Sequence, residues 1–427
     1  MSEEPASETP RAGLSRRGLL GLALGAGAAG VAVGAGAASA IALTRPDAAS
    51  VADTHQFYGA HPAGITTDVQ DHLHFAAFDV MEGASRQDLV ELLQDWSYAA
   101  ARMMLGLEVS ATGAVGGSPE APPDDTGEAL GLPASNLTIT IGFGPTLFST
   151  AEGVDRFGLA SLAPGSLAAL PPFLGDDLDP GHTGGDLCVQ ACADDPQVAV
   201  HAVRNLSRIA FGRARLRWSQ LGYGRTSRTS ATSKTPRNLF GFKDGTANIL
   251  ADDTAALDEH VWVSANDGPT WLAGGSYLVA RKIAMKIETW DRVRLAEQER
   301  VTGRAKGTGA PLSGGDEFAP PDFAASGAAG LAIDPRSHVS RAHPANNGGI
   351  RMLRRGYNYV DGNTALGRLD AGLFFLGYVR SPDRFITVQR SVATDLMMEY
   401  VTTVGSGIWA VPPAPSEGSF VGAGLFS

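Results

Sequence analysis

Thr235-Pro-Arg-Asn-Leu-Phe-Gly-Phe-Lys-Asp-Gly-Thr-Ala-Asn248 sets one carboxylate, Asp244, between two glycines and beside two aromatic rings. Gly241 and Gly245 permit backbone conformations, and an approach of the main chain to a flat ligand, that a Cβ resists. Phe240 and Phe242 supply apolar surface next to the carboxyl. Desolvation there disfavours the ionised form, so the group can exchange a proton near neutral pH. The same residues also read as a plain turn, since Asp-Gly is a common turn pair. The rest of the chain has to separate the two readings.

Gly241-Phe-Lys-Asp244-Gly245 resembles the G-x-x-D-G motif of the dye-decolorising peroxidase family, and Arg237 to Thr246 is similar to that family beyond the pentapeptide. The resemblance implies two ferredoxin-like domains, each an antiparallel β-sheet flanked by helices, with haem b between them. It implies a peroxidase that uses hydrogen peroxide to form a ferryl intermediate and oxidises dyes, phenolics or other one-electron donors. Asp244 would be catalytic, and Gly241, Phe242, Gly245 and Thr246 would lie along the cofactor.

The N-terminus agrees with a protein loaded before export. Ser15-Arg16-Arg17-Gly18-Leu19-Leu20 precedes an uncharged Ala/Gly/Val run reaching Leu43, and Ala38-Ser39-Ala40 fits a small-residue cleavage site. This is the pattern of a twin-arginine signal, whose translocase carries folded proteins. A run so rich in Gly and Ala is a poor hydrocarbon anchor, so no stable membrane anchor is expected and the location is extracellular or at the cell envelope. Gly25-Ala-Gly27-Ala-Ala-Gly30 matches a dinucleotide-binding pattern, but no strand precedes it and no acid closes the unit. A net charge of -11 argues against nucleic acid or an anionic membrane as partner. An apolar share of 44% with 19% charged residues suits a soluble globular chain. Cys188 and Cys192 alternate with Gln190 onto one face of an apolar strand and read as buried thiols. They could also bind metal, but no nearby histidine completes a set.

Two halves repeat one order of elements. In the first, Gln70 to Val80 is a strand, Ser85 caps a helix through Leu89, Leu92, Leu93, Trp96 and Ala100, and residues 110–136 form a Gly/Pro/Asp-rich loop. Leu137 to Gly144 and Asp186 to Ala193 are strands, Asp195 to Ile209 a helix, and Arg215 to Tyr223 a closing strand. His72 and His74 share a face of the first strand, where two histidines can hold a metal, but no third ligand is apparent and they read as edge or core packing residues. In the second half Gly275 to Ile287 is a strand, Glu288 to Thr302 a helix, and 303–330 a second long loop. Arg354 to Val360 and Leu373 to Val379 are strands, and Ser381 to Tyr400 carries a helix. Neither half alternates as a long parallel sheet would, so the class is α+β. The expected divisions are a signal peptide at 1–40, a linker at 41–63, an N-terminal ferredoxin-like domain at 64–226 and a C-terminal ferredoxin-like, haem-binding domain at 227–427.

Haem iron takes a neutral imidazole, and His338 and His343 stand five apart in Asp334-Pro-Arg-Ser-His-Val-Ser-Arg-Ala-His-Pro344. His343 precedes a proline and reads as loop. Ser-His338-Val-Ser-Arg341 is similar to the family's axial segment, which implies His338 as iron ligand and Arg341 at the cofactor. Of the adjacent Arg354 and Arg355, which a strand points to opposite faces, the resemblance implies Arg354 as the distal arginine, with Arg355 facing solvent or a carboxylate. Leu373 and Phe374 look like an apolar distal wall. Asp395 matches the acid that receives the axial histidine's other N–H, though it also reads as a helix N-cap. Bulky reductants would be oxidised at the haem edge or at a surface aromatic, the pool being Trp218, Trp262, Trp271, Trp290, Tyr357, Tyr378 and Trp409. A haem-iron-releasing protein and a non-enzymatic haem carrier are the competing functions.

Overall fold

Ser85 starts the first long helix as its sequence demands. Its hydroxyl accepts from Asp88 N and the Asp88 carboxylate accepts from Ser85 N, a reciprocal cap on α1 (Arg86–Met103). One stripe of α1 is fully buried, including Leu89, Leu92, Leu93 and Trp96. Each such side chain contributes roughly 1.5–3 kcal/mol. The Trp96 indole donates to the Leu206 carbonyl at 2.8 Å, which ties α1 to α2 (Pro196–Ile209). Asp195 caps α2 through Gln197 N at 2.7 Å.

The computed structural model describes residues 53–427 except 328 and 329. The expected signal peptide at 1–40 and the first part of the expected linker lie outside the described residues. From residue 53 the linker stretch is laid on the body: the Asp53 carbonyl accepts from Asn136 N at 2.9 Å, and the His61 ring stacks on Trp262 at 4.0 Å. Residues 51–427 form one compact unit.

The fold is α+β around a large antiparallel sheet. Its strands are β1 (His72–Val80), β2 (Thr138–Phe143), β3 (Leu187–Ala193), β4 (Ala214–Arg225), β5 (Ser276–Met285), β6 (Leu353–Arg354), β7 (Tyr357–Asn363), β8 (Leu369–Val379) and β9 (Val401–Val411). They run in the order β5-β9-β2-β3-β1-β4-β7-β8-β6, and β8 also pairs with β5, which closes a ring. The first half contributes β2-β3-β1-β4 and the second β7-β8-β5-β9, the same internal order. The seams are narrow: Ala410 pairs with Phe143 on one side, and Tyr223 with Asn358 and Arg225 with Tyr357 on the other.

β3 is buried on both faces. Val189 and Ala191 lie in the core shared with α1 and α2, whereas Cys188 and Cys192 face the ring's interior with Phe75, Trp218, Tyr357, Phe374 and Trp409. Both cysteines are free, and burial pushes their thiols up. His74 is held neutral by burial, with a pKa near 4. Among the described residues no group of three or more His, Cys, Asp or Glu is arranged to hold a metal, and no helix is long and apolar enough to cross a membrane.

Three second-half expectations are corrected. The helix expected at 288–302 breaks into a turn, Ile287–Trp290, and α4 (Leu295–Thr302), because Gln298 Nε2 takes up the free carbonyls of Trp290 and Val293 at the break. The strand expected at 354–360 is interrupted at Arg355 and Gly356. The helix expected to reach Tyr400 stops after α6 (Pro382–Val392), and β9 follows. Two further short helices, α3 (Thr254–His260) and α5 (His338–Ala342), complete the part of the fold that matters to the site.

Candidate active site

Gly241 and Gly245 have φ of 82° and 89°, where side chains with a Cβ are strained. A Cβ on Gly245 would lie 2.8 Å from Ser227 Cα, and one on Gly241 2.9 Å from Lys306 Cε. The close approach at these glycines is therefore to other parts of the chain. The loop is pinned by Asn238 N to the Phe242 carbonyl at 3.1 Å and Asp244 N to the Pro236 carbonyl at 2.9 Å.

The rings beside Asp244 in sequence turn away from it. Phe240 stacks on Trp290 at 4.4 Å and Phe242 meets the same indole edge-on at 6.0 Å. What surrounds the carboxylate is polar: Arg354 Nη1 donates to Oδ1 at 2.9 Å and Asn238 Nδ2 to Oδ2 at 3.2 Å. The apolar setting expected for Asp244 is thus replaced by an ion pair, because a cluster with Trp290, Met285 and Tyr400 claims both phenylalanines. Arg354 is fixed by its own backbone. Asn248 Oδ1 accepts from Arg354 N at 2.8 Å, and Asn248 Nδ2 donates to the Arg354 carbonyl at 2.9 Å.

Arg355 points the other way, as strand alternation requires, but it reaches neither solvent nor a carboxylate. It is fully buried and donates to the carbonyls of Thr67 at 2.6 Å and Asp68 at 3.1 Å and to the Gln70 side chain. The same alternation separates Leu373 from Phe374. Leu373 packs against the Phe240, Phe242 and Trp290 cluster, while Phe374 enters the ring's interior 5.3 Å from Phe75, so only Leu373 is on the site's side.

His338 opens α5, with Ser337 as its cap. Its Nδ1–H donates to Asp395 Oδ2 at 2.7 Å. The other carboxylate oxygen of Asp395 accepts from Met397 N at 2.7 Å and Met398 N at 3.2 Å, so one side chain is both helix cap and histidine partner. With Nδ1 committed as donor, Nε2 carries the lone pair. Of its side-chain surface 44% is free. Burial works against a charged imidazole, but the hydrogen bond and charge of Asp395 outweigh it and raise the pKa; Asp244 adds to the lift and Arg354 opposes it. His343 closes α5 without a carboxylate partner; its Nδ1 accepts from Ala345 N at 3.2 Å.

A haem fits these residues. His338 offers an oriented nitrogen on a side chain that keeps 44% of its surface free, and the buried Nε of Arg341, three residues on, has no hydrogen-bond partner in the protein. Thr246 engages Glu317. Sequence reasoning passed over Asn238 and Asn248, although both lie inside the stretch around Asp244; it missed Glu317, and it named Trp290 only as a candidate surface aromatic, whereas the fold buries it against Phe240 and Phe242.

Residues 62–224 match the family model described as Dyp-type peroxidase, N-terminal, and residues 235–416 match Dyp-type peroxidase, C-terminal. The chain is 37% identical over 389 residues to a deferrochelatase of Escherichia coli strain K12, covering 89% of this chain and 88% of that one. A DyP-type peroxidase from Streptomyces coelicolor, 38% identical, superposes with a TM-score of 0.79 over 88% of this chain and 97% of its own. One from Cellulomonas bogoriensis, 35% identical, gives 0.76 over 88% and 98%. With an acid–arginine pair and a carboxylate-bound histidine in place, and with both family matches in register on the two halves, the chain belongs to the Dyp-type peroxidases and is a haem-dependent oxidoreductase.

Proposed function

We propose that the chain holds haem b between two ferredoxin-like units, 64–226 and 227–427, and reduces hydrogen peroxide there at the expense of dyes, phenolics or other one-electron donors. The observation that carries this reading is the Arg354–Asp244 ion pair at 2.9 Å together with the His338–Asp395 pair at 2.7 Å. Bound haem would supply the iron that takes peroxide and stores the oxidising equivalents. His338 would hold that iron through Nε2, and Asp395 fixes the ring's tautomer and orientation and makes Nε2 a stronger donor. Asp244 would accept a proton from the incoming peroxide and return it to the departing oxygen. Arg354, anchored by Asn248, presents a fixed cation to the charge developing on that oxygen, where low dielectric magnifies its effect. The repeated strand order of the two halves supports the ferredoxin-like reading.

The E. coli relative's name supports a second reading, removal of iron from haem with the porphyrin left intact. Haem-loaded protein should oxidise a phenolic reductant only when peroxide is added, with its haem absorbance surviving turnover. Metal-free porphyrin fluorescence appearing without peroxide-dependent oxidation would overturn the peroxidase reading in favour of iron release. A carrier would use His338 but has no need of Asp244 and Arg354.

Export by the twin-arginine translocase rests on Arg16 and Arg17. Changing both to lysine should leave folded, haem-loaded protein in the cytoplasmic fraction; undiminished export would reject the assignment.

A further inference from the structure

Asp244 sits in a turn that one carboxylate of a distant loop grips on both sides of it. Lys243 forms an ion pair with Glu317 Oε2, and Thr246 Oγ1 donates to Glu317 Oε1 at 3.2 Å. One carboxylate thus holds the residue before Asp244 and the residue two after it. Its side chain is only 11% exposed. Glu317 belongs to the long loop 303–330, which is itself stitched in place. Buried Arg304 donates to the carbonyls of Gly309 at 2.7 Å and Glu317 at 2.8 Å. Arg237 donates to the carbonyls of Gly241 and Lys306, each at 2.7 Å, so that the motif and the loop share one guanidinium. At the far end of the loop, Phe323 meets His343 edge-on at 5.1 Å, beside the His338 helix.

The turn needs such a hold. Glycines at 241 and 245 leave its backbone freer than any other residue pair would, and proton transfer tolerates little displacement: a misplacement of 1 Å costs about a hundredfold. Arg354 contacts the Asp244 carboxylate but not the turn that carries it. We infer that Glu317 is a positioning residue for the peroxide reaction, gripping Lys243 and Thr246 so that the Asp244 carboxylate stays aimed at Arg354. This inference rests on the peroxidase reading of Asp244. It gives the 303–330 loop a task in the reaction beyond covering the surface.

A double-mutant cycle on the haem-loaded enzyme separates positioning from plain stabilisation. Glu317→Ala should lower the second-order rate with hydrogen peroxide roughly ten- to a hundredfold and leave the later rate with a small phenol unchanged. Glu317→Gln, which retains an acceptor for Thr246 but loses the charge facing Lys243, should fall between. In an Asp244→Asn background, Glu317→Ala should cost nothing further. Hydrogen exchange of the 241–248 amides should quicken in Glu317→Ala with or without haem. A full peroxide rate in Glu317→Ala, or an undiminished loss in the Asp244→Asn background, would overturn the inference while leaving the site reading intact. An Asp244→Asn enzyme as fast as wild type would remove the site reading and this inference with it.

Discussion

Arg354→Leu is expected to slow the reaction with hydrogen peroxide by about a hundred- to a thousandfold, read in a stopped-flow spectrum as delayed loss of the main haem band. The size follows from the setting. The guanidinium needs no reorganisation, because Asn248 grips the Arg354 backbone from both sides. It is also the charge partner of Asp244, so its loss leaves that carboxylate with Asn238 alone among the described side chains. Arg354→Lys should recover part of the rate, since an ammonium supplies the charge without the planar fork. The neighbouring arginine provides the contrast. Arg355 is sealed behind carbonyls of residues 67 and 68 on the opposite face, and replacing it should lower the melting temperature rather than act on the peroxide step of whatever protein remains folded. An Arg354→Leu enzyme with an unchanged peroxide rate would remove the distal role from this residue.

Much of this could be read from the chain because it is local. Ser85 and Asp195 announce their helices by capping chemistry, and β3 carries a run of apolar residues broken only by Gln190. Asp244, Arg354, His338 and Asp395 were found through a resemblance to motifs, and the fold pairs Asp244 with Arg354 and His338 with Asp395. What escaped was set by distant partners. β9 was overlooked because Gly405 and Gly407 interrupt its pattern. Those positions are small because the His182 carbonyl and the Trp409 ring occupy the space a Cβ would need. Phe374 was placed with Leu373 although neighbours on a strand face apart. Phe240 and Phe242 were assigned to Asp244 by adjacency, whereas Trp290 draws them off. Glu317 lies more than seventy positions from the turn it holds, and no local pattern reports such a contact.

The proximal side yields an ordered pair of losses. His338→Ala should leave the purified protein nearly free of haem, because the histidine Nε2 is the nitrogen offered in a fixed orientation. Asp395→Asn should act more gently, weakening haem retention by about ten- to a hundredfold, measured as the rate of transfer to a haem-scavenging protein. The asparagine carbonyl can still cap Met397 N and Met398 N, so the turn after α6 survives. What changes is the ring's other partner: a neutral amide replaces the carboxylate at Nδ1, and the imidazole loses the charge that strengthens its donation. Asp395→Ala removes both functions and adds about 1 kcal/mol of lost capping, so it should also melt earlier than Asp395→Asn. His343→Ala should leave haem content unchanged, since its ring serves Ala345 and Phe323 and has no carboxylate behind it. If His343→Ala emptied the protein of haem while His338→Ala retained it, the axial role would pass to His343, and the His338–Asp395 pair would be left as a helix-end contact.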